Sequence, residues 1–334
     1  VLKNGEIDEI RAEKHIRYAI SKGVNYIDTA KIYHGGKCEE FLGRLLEKDS
    51  LRDKVKIATK LPPWQVKEPK DMMWIFNEQL KDLRTDHIDY YLVHALNGAS
   101  WKKMKEFGVL ELLDKLLKSG KIKNAGFSFH GNIEHFYQIV DDYDWTFCQI
   151  QYNYMDIENQ AGTEGLRYAA AKGLGVVVME PLLGGKLARS IPAVEPIWAA
   201  VTPKRTPADW ALQWLWDQPE VSVVLSGMST MVQVEENIAS AAGSGIGSLQ
   251  AEELEVIAGA RETIQKLSPI PCTGCEYCLP CPNGVNIPRN FAVYNEGAMY
   301  NDPDGARRAY KYWINDDAKA AQCIQCQECE SKCP

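Results

Sequence analysis

The stretch Val24-Asn25-Tyr26-Ile27-Asp28-Thr29-Ala30-Lys31-Ile32-Tyr33 decides the fold. Its first five residues come after an amphipathic run that stops at Lys22-Gly23, and their apolar character predicts a short strand. Thr-Ala-Lys comes next where a dinucleotide-binding sheet would carry a glycine-rich turn, so a doubly wound sheet is disfavoured. Outward from this stretch the same alternation repeats. Strands are predicted at 24–28, 55–59, 88–94, 124–128, 147–151, 175–179 and 221–226. Helices are predicted at 8–22, 39–47, 70–83, 109–118, 133–140, 159–171, 206–216 and 230–241. Gly23, Gly120 and Gly173 stand where helix C-terminal glycines belong. Seven strands with intervening helices suit an α/β fold of the (β/α)8 barrel type, the TIM barrel, with its first strand missing. The chain opens on a helix at Val1, so that strand is expected upstream.

After a glycine-rich break at 243–247, residues 249–267 read as a helix on the barrel's outside, and 268–271 as a linker. The expected domains are therefore 1–269, the barrel, and 270–334, a small helical module. Apolar residues make up 45% and charged residues 25% of the 334, values usual for a globular protein. No apolar run reaches the roughly 18 residues that a membrane span needs, and no signal peptide is visible. The net charge of −7 is spread along the chain, without the basic stripe that a phosphate backbone requires. The expectation is a cytoplasmic protein with no nucleic-acid or membrane partner.

Eight of the ten cysteines lie in the last 63 residues, as Cys272-x2-Cys275-x2-Cys278-x2-Cys281-Pro282 and Cys323-x2-Cys326-x2-Cys329-x3-Cys333-Pro334. Three thiolates at i, i+3 and i+6 can reach three irons of one cubane, while the fourth, with a proline after it, turns toward the other. One [4Fe-4S] cluster would then use Cys272, Cys275, Cys278 and Cys333, and a second Cys281, Cys323, Cys326 and Cys329. Zinc and disulfides are the competing readings. Triplets leave an awkward third thiolate for zinc, and a disulfide framework fits a secreted chain better than this one. With helical stretches at 290–300 and 306–313 between its halves, the segment resembles the helical dicluster ferredoxin-like modules fused to dehydrogenases and reductases. Cys38, at an expected N-cap, and Cys148, inside an apolar strand, read as structural.

The stretch Tyr26 to Tyr33 also resembles the signature of aldo/keto reductases, and the resemblance continues along the chain. Lys60 and His94 stand at the ends of the next two predicted strands, the C-terminal mouth where barrel enzymes keep their chemistry. This resemblance, covering 8–237, implies a catalytic tetrad of Asp28, Tyr33, Lys60 and His94. Tyr33 would donate the proton to the carbonyl oxygen, and Lys60 would draw its pKa down from about 10. Asp28 would hold Lys60, and His94 would orient the substrate oxygen. In the stretch that places the nicotinamide, Ser128 and Gln149 match the family, whereas Phe129 stands where asparagine is expected. Met179, Glu180 and Leu182 replace the usual stacking tyrosine and the pyrophosphate contacts around it. On the adenosine side Gly227, Ser229, Gln233, Glu236 and Asn237 occupy the family's loop and helix N-terminus. The basic residues that clamp a 2′-phosphate are absent, with Gly227 and Gln233 in their places, so both NADP and NAD fit. Pro62, Pro63 and Trp64, with Trp101 and Met104, read either as an apolar substrate pocket or as aromatic packing on the barrel top.

The function implied is an oxidoreductase that reduces a small-molecule carbonyl substrate or oxidises the alcohol, its clusters serving electron transfer with a redox partner protein. A nicotinamide moves two electrons and a cluster one. An alternative is therefore a flavin-containing, cluster-fed reductase, with FMN in the altered nicotinamide site. Against a non-enzymatic electron carrier or nucleotide sensor stands the complete tetrad.

Overall fold

A computed structural model describes residues 6–333 of the chain. They fall into two compact units, Val1–Leu182 with Ala211–Leu249, and Leu183–Trp210 with Gln250–Pro334.

All seven strands lie in the first unit: β1 (Tyr26–Asp28), β2 (Lys56–Leu61), β3 (Ile88–Leu96), β4 (Ile122–Phe129), β5 (Phe147–Gln151), β6 (Gly175–Met179) and β7 (Val221–Val224). Every neighbouring pair is parallel and the spatial order is the chain order, as in a (β/α)8 barrel. Helices α1 (Glu9–Ser21), α2 (Cys38–Leu46), α3 (Pro69–Asp82), α4 (Gly98–Glu106), α5 (Val109–Lys118), α6 (Ile133–Asp141) and α7 (Gly162–Ala171) alternate with them. The eighth strand, expected upstream of Val1, lies outside the described residues.

Strand side chains alternate between two environments, the consequence of a period of two. Outward residues such as Leu61, Tyr91, Val93, Phe127, Phe129, Cys148, Ile150, Val176 and Val178 join the main apolar core. Ile57 packs outward with the α2 residues Phe41, Leu42, Leu45 and Leu46. The inward residues Ala58, Leu92, Phe147 and Val177 form a smaller cluster with Tyr26, Tyr90 and Val223. Gly126 is dictated by this interior, because a Cβ there would meet the Phe147 ring at 2.5 Å. By the same parity Asp28, Lys60, His94, Ser128, Gln149 and Met179 face inward, all but the mid-strand Gln149 near the C-terminal end of their strands.

Helix α8 (Glu195–Trp198) opens the second unit's part of the chain, α9 (Pro207–Trp216) spans both segments, and α10 (Met231–Ala242) comes after β7. In the second unit α11 (Ala251–Lys266) precedes α12 (Ile287–Met299), α13 (Pro303–Trp313) and the short α14 (Glu328–Lys332). The 183–210 segment is tied there by ion pairs from Lys186 to Glu296 (2.7 Å) and from Arg189 to Asp302 (3.1 Å). Among the described residues no helix is long and apolar enough to cross a membrane. Cys38 proves to be the first residue of α2, with Lys37 at the N-cap, one position off the expected place.

Candidate active site

Lys60 has a relative exposure of 0%, and a buried ammonium must be paired and hydrogen-bonded to be tolerated. Its Nζ donates to Asp28 Oδ1 at 2.7 Å, to Asp28 Oδ2 at 2.8 Å and to the Thr29 carbonyl at 2.8 Å. Because Asp28 neutralises it, β2 runs through Lys60 to Leu61 instead of stopping at Thr59. Tyr33 opens a 3-10 turn, Tyr33–Gly36, where His34 has a left-handed φ of 52°. Lys60 Nζ stands 5.1 Å from the centre of the Tyr33 ring, and the Tyr33 and His94 rings are 6.3 Å apart, edge to face. The four residues expected as a tetrad are thus brought together.

Electrostatics here depart from the sequence expectation in one respect. Burial pushes the Tyr33 phenol up, and this outweighs the downward pull of the Lys60 cation. Tyr33 therefore keeps its proton at neutral pH, the state an acid catalyst requires. Asp28 is likewise raised by burial against the pull of Lys60. His94 is lowered to about 3, first by burial and then by the Lys60 and His130 charges, so its imidazole is neutral. Its Nδ1 is buried without a partner. Also facing the site is Trp64, 51% exposed, with its ring 5.0 Å from that of His94.

His94 owes its position to an irregularity in β3. The register with β4 shifts between Val93 and Leu96, and Ala95 sits at φ 49°. The Ala95 N–H, turned off the ladder, donates to Ser128 Oγ at 2.7 Å. Ser128 therefore accepts from the bulge and retains its own hydroxyl proton to donate. Gln149 donates through Nε2 to Met179 Sδ at 3.6 Å, while its Oε1 is buried without a partner. Phe129 packs outward on Phe136, at a ring distance of 5.1 Å, so this chain has no amide to offer there. Glu180 is exposed, and its carbonyl accepts from Asn153 Nδ2 at 3.0 Å.

In the stretch expected to border the adenosine, Thr230 caps α10, with Gln233 closing a capping box. Gln233 Oε1 accepts from the Ser229 and Thr230 N–H groups at 2.7 and 3.1 Å, and Asn237 Nδ2 donates to Ser226 Oγ at 2.9 Å. Gly227 has open space around its Cα, and Glu236 is exposed. Leu182 ends the first unit's leading segment, just past Met179 and Glu180.

In the second unit all eight cysteines are free thiols. Cys278, Cys281, Cys323, Cys326 and Cys329 border one cavity of about 410 Å³. Burial pushes the Cys278 thiol up, and charges at Cys272, Cys275 and Cys329 add to it. Cys333 is exposed beyond α14. Among the described residues no three of these thiols approach closely enough to share a single metal ion.

Residues 2–258 match the Aldo/keto reductase family and residues 271–334 a 4Fe-4S dicluster domain. The chain belongs to the aldo/keto reductase family. This reductase is 25% identical to the L-galactose dehydrogenase of Arabidopsis thaliana over 288 residues, 79% of this chain and 88% of the relative. Its fold is shared by the holo form of an aldo-keto reductase from Bacillus halodurans (TM-score 0.64, 23% identity, 75% of this chain and 87% of that one). An aldo-keto reductase from Klebsiella pneumoniae in complex with NADPH matches similarly (TM-score 0.62, 24% identity, 76% and 87%). The chain is thus an oxidoreductase carrying an iron-sulfur domain.

Several residues that frame this reductase's sites were not legible in its sequence. Trp101 and Met104 do not line a pocket; they sit on α4 with exposures of 1% and 0%, inside the core. The same helix supplies Lys103, whose ammonium takes the carbonyls of Pro63 (2.9 Å) and Val66 (2.6 Å) and so holds the loop that carries Trp64. The signal was present, since Asn97 and Ser100 form a capping box ahead of an i, i+3 apolar pair. In the second unit two buried asparagines of α12 hold the cysteine segments. Asn295 exchanges two hydrogen bonds with the Ile270 backbone, two residues before Cys272. Asn290 donates to the Ala318 carbonyl and accepts from the Ala320 N–H, three residues before Cys323.

Proposed function

We propose that this aldo/keto reductase reduces a small carbonyl compound to the alcohol, or runs the reverse, with Tyr33 as the proton donor. The observation that carries the reading is the fully buried Lys60 ammonium, saturated by Asp28 and Thr29 and set beside the Tyr33 ring. A carbonyl oxygen between Tyr33 and His94 would receive the phenolic proton as negative charge builds on it. Lys60 offsets the tyrosinate left behind, and Asp28 keeps that cation in place. His94, neutral, contributes a hydrogen bond without a competing charge and orients the substrate.

A nicotinamide cofactor, NADP or NAD, would supply or accept the hydride. Gln149 fits that group, because its buried Oε1 lacks a partner and could accept from a carboxamide, while Ser128 keeps a hydroxyl proton to donate. Met179 would pack on the ring, and Leu182, Gly227, Ser229, Gln233, Glu236 and Asn237 would border the rest of the nucleotide. Two [4Fe-4S] clusters, each passing one electron, fit the eight thiols. Cys281 would complete one cluster with Cys323, Cys326 and Cys329, which border the same cavity, as Cys278 also does. Cys272, Cys275, Cys278 and Cys333 would hold the other.

Anaerobically purified protein, assayed with NADPH and an aldehyde series, tests the acid. Tyr33→Phe is expected to lower kcat by a factor of at least about 100 with cofactor affinity nearly unchanged. Full activity in that variant would reject the role. Iron and acid-labile sulfide near eight of each per chain are expected of the same preparation; zinc without sulfide would reject the clusters.

A further inference from the structure

On the outer face of β2 and β3, behind the tetrad, four polar side chains are completely buried. Glu39, Thr59, Gln79 and Tyr91 each have an exposure of 0%. Thr59 Oγ1 donates to Glu39 Oε1 at 2.5 Å. Gln79 Nε2 donates to the same Glu39 oxygen at 2.9 Å, and it also reaches Thr59 Oγ1 (3.1 Å) and the Lys60 carbonyl (3.0 Å). Tyr91 donates through its hydroxyl to Gln79 Oε1 at 2.9 Å, which fixes the orientation of that amide. Leucine or isoleucine would fill this layer at lower desolvation cost, as Leu42, Leu46 and Ile57 do beside it.

The chain positions of the four explain the choice. Glu39 is the second residue of α2, three residues past the turn that carries Tyr33. Thr59 precedes Lys60, whose own carbonyl Gln79 holds. Tyr91 stands three residues before His94 on β3. We propose that these four side chains form a positioning cluster that holds the segments bearing Tyr33, Lys60 and His94 in mutual register. The proposal rests on the tetrad reading above and adds residues that touch neither substrate nor cofactor.

The surroundings of Glu39 disfavour a charge on it. Both donors converge on Oε1, whereas Oε2 is buried with no partner. Burial pushes the Glu39 carboxyl up, ahead of the bonds from Thr59 and Gln79 that lower it. The groups that face it from the packed elements are the Tyr91 hydroxyl of β3 and the Lys31 and Asp82 pair. Lys31 and Asp82 bond each other at 2.7 Å, so their opposite effects on Glu39 largely offset.

The test places a fluorinated tyrosine at position 33 of the full-length protein and tracks its ring by ¹⁹F NMR as pH is raised. Fluorine lowers the phenol's pKa into reach, and the probe reports Tyr33 whether or not a substrate has been found. Tyr91→Phe and Glu39→Leu should each raise the midpoint by about half a pH unit, the effect of roughly 1 Å added between phenol and ammonium. Glu39→Gln, which keeps the acceptor and places an uncharged NH₂ at the Oε2 position, should restore it. An unchanged midpoint in Tyr91→Phe, with only a lower Tm, would overturn the proposal and leave the cluster as packing. Should Glu39→Leu fail to fold, Tyr91→Phe decides alone. Failure of the parent reading shows separately, as full carbonyl turnover in Tyr33→Phe.

Discussion

The tetrad and the cysteine segments prepare their sites in opposite ways. Around Lys60 the protein supplies every partner itself, so the ammonium, Asp28 and the two rings stand assembled in the chain alone. Around the cysteines it supplies only the approach. Asn290 and Asn295 hold the peptide ahead of each half, while five of the eight thiols, Cys272, Cys275, Cys323, Cys326 and Cys333, are exposed. A site built from opposite charges can be finished by folding. One built from eight thiols would be completed only when iron binds them, and the free energy of metal binding then becomes part of the domain's stability.

The largest effect expected from this contrast comes from removing the metal. Chelation of iron under mild oxidation should abolish amide-exchange protection in α12 to α14 while the seven strands keep theirs. Hydrogen exchange read by mass spectrometry checks this. Equal loss in β2 to β5 would show that the barrel, too, depends on the clusters. On the barrel side the matching disruption is Lys60→Met, which leaves Asp28 buried without its cation. Loss of one partner from such a pair costs about 3–5 kcal/mol, so a drop of that size is expected in urea unfolding. A change below about 1 kcal/mol, the usual worth of an exposed pair, would mean that water reaches Asp28.

A smaller effect tests how dry the assembled site is. With its folded pKa near 3, His94 resists the proton that the unfolded chain accepts at about 6.5. The unfolded state therefore binds more protons across that window, and stability falls as pH drops from about 6.5 toward 3. His94→Asn should flatten this slope in urea titrations at successive pH values. An unaltered slope would place the ring in water and weaken the contrast with the exposed thiols.

Legibility divided along the same line. β5 and β6 begin and end where the apolar runs do, because uncharged strands stop at turn residues on both sides. β2, β3 and β4 run past their expected ends, to Leu61, Leu96 and Phe129, since the polar residues Lys60, His94 and Ser128 near those ends mark the site and not the boundary. Phe129, read as a lost asparagine, is a core residue, two positions on from the outward Phe127 in the same strand. Glu39 and Gln79 gave no sign of themselves, since polar residues on a helix's apolar face look like errors of phase until their partners on neighbouring strands are seen. The cysteine motif, by contrast, was legible from spacing alone, while the asparagines that prepare it were not.

The hold of Lys103 on the Pro63 and Val66 carbonyls bears on how quickly the mouth can change shape. Loop lids open in microseconds to milliseconds because many backbone torsions turn together, whereas a half-exposed side chain changes rotamer in picoseconds to nanoseconds. With the backbone on either side of Trp64 anchored from behind, the indole is the part left to move. A rotation of that indole is far faster than turnovers of about 1–1,000 per second and would not set their pace.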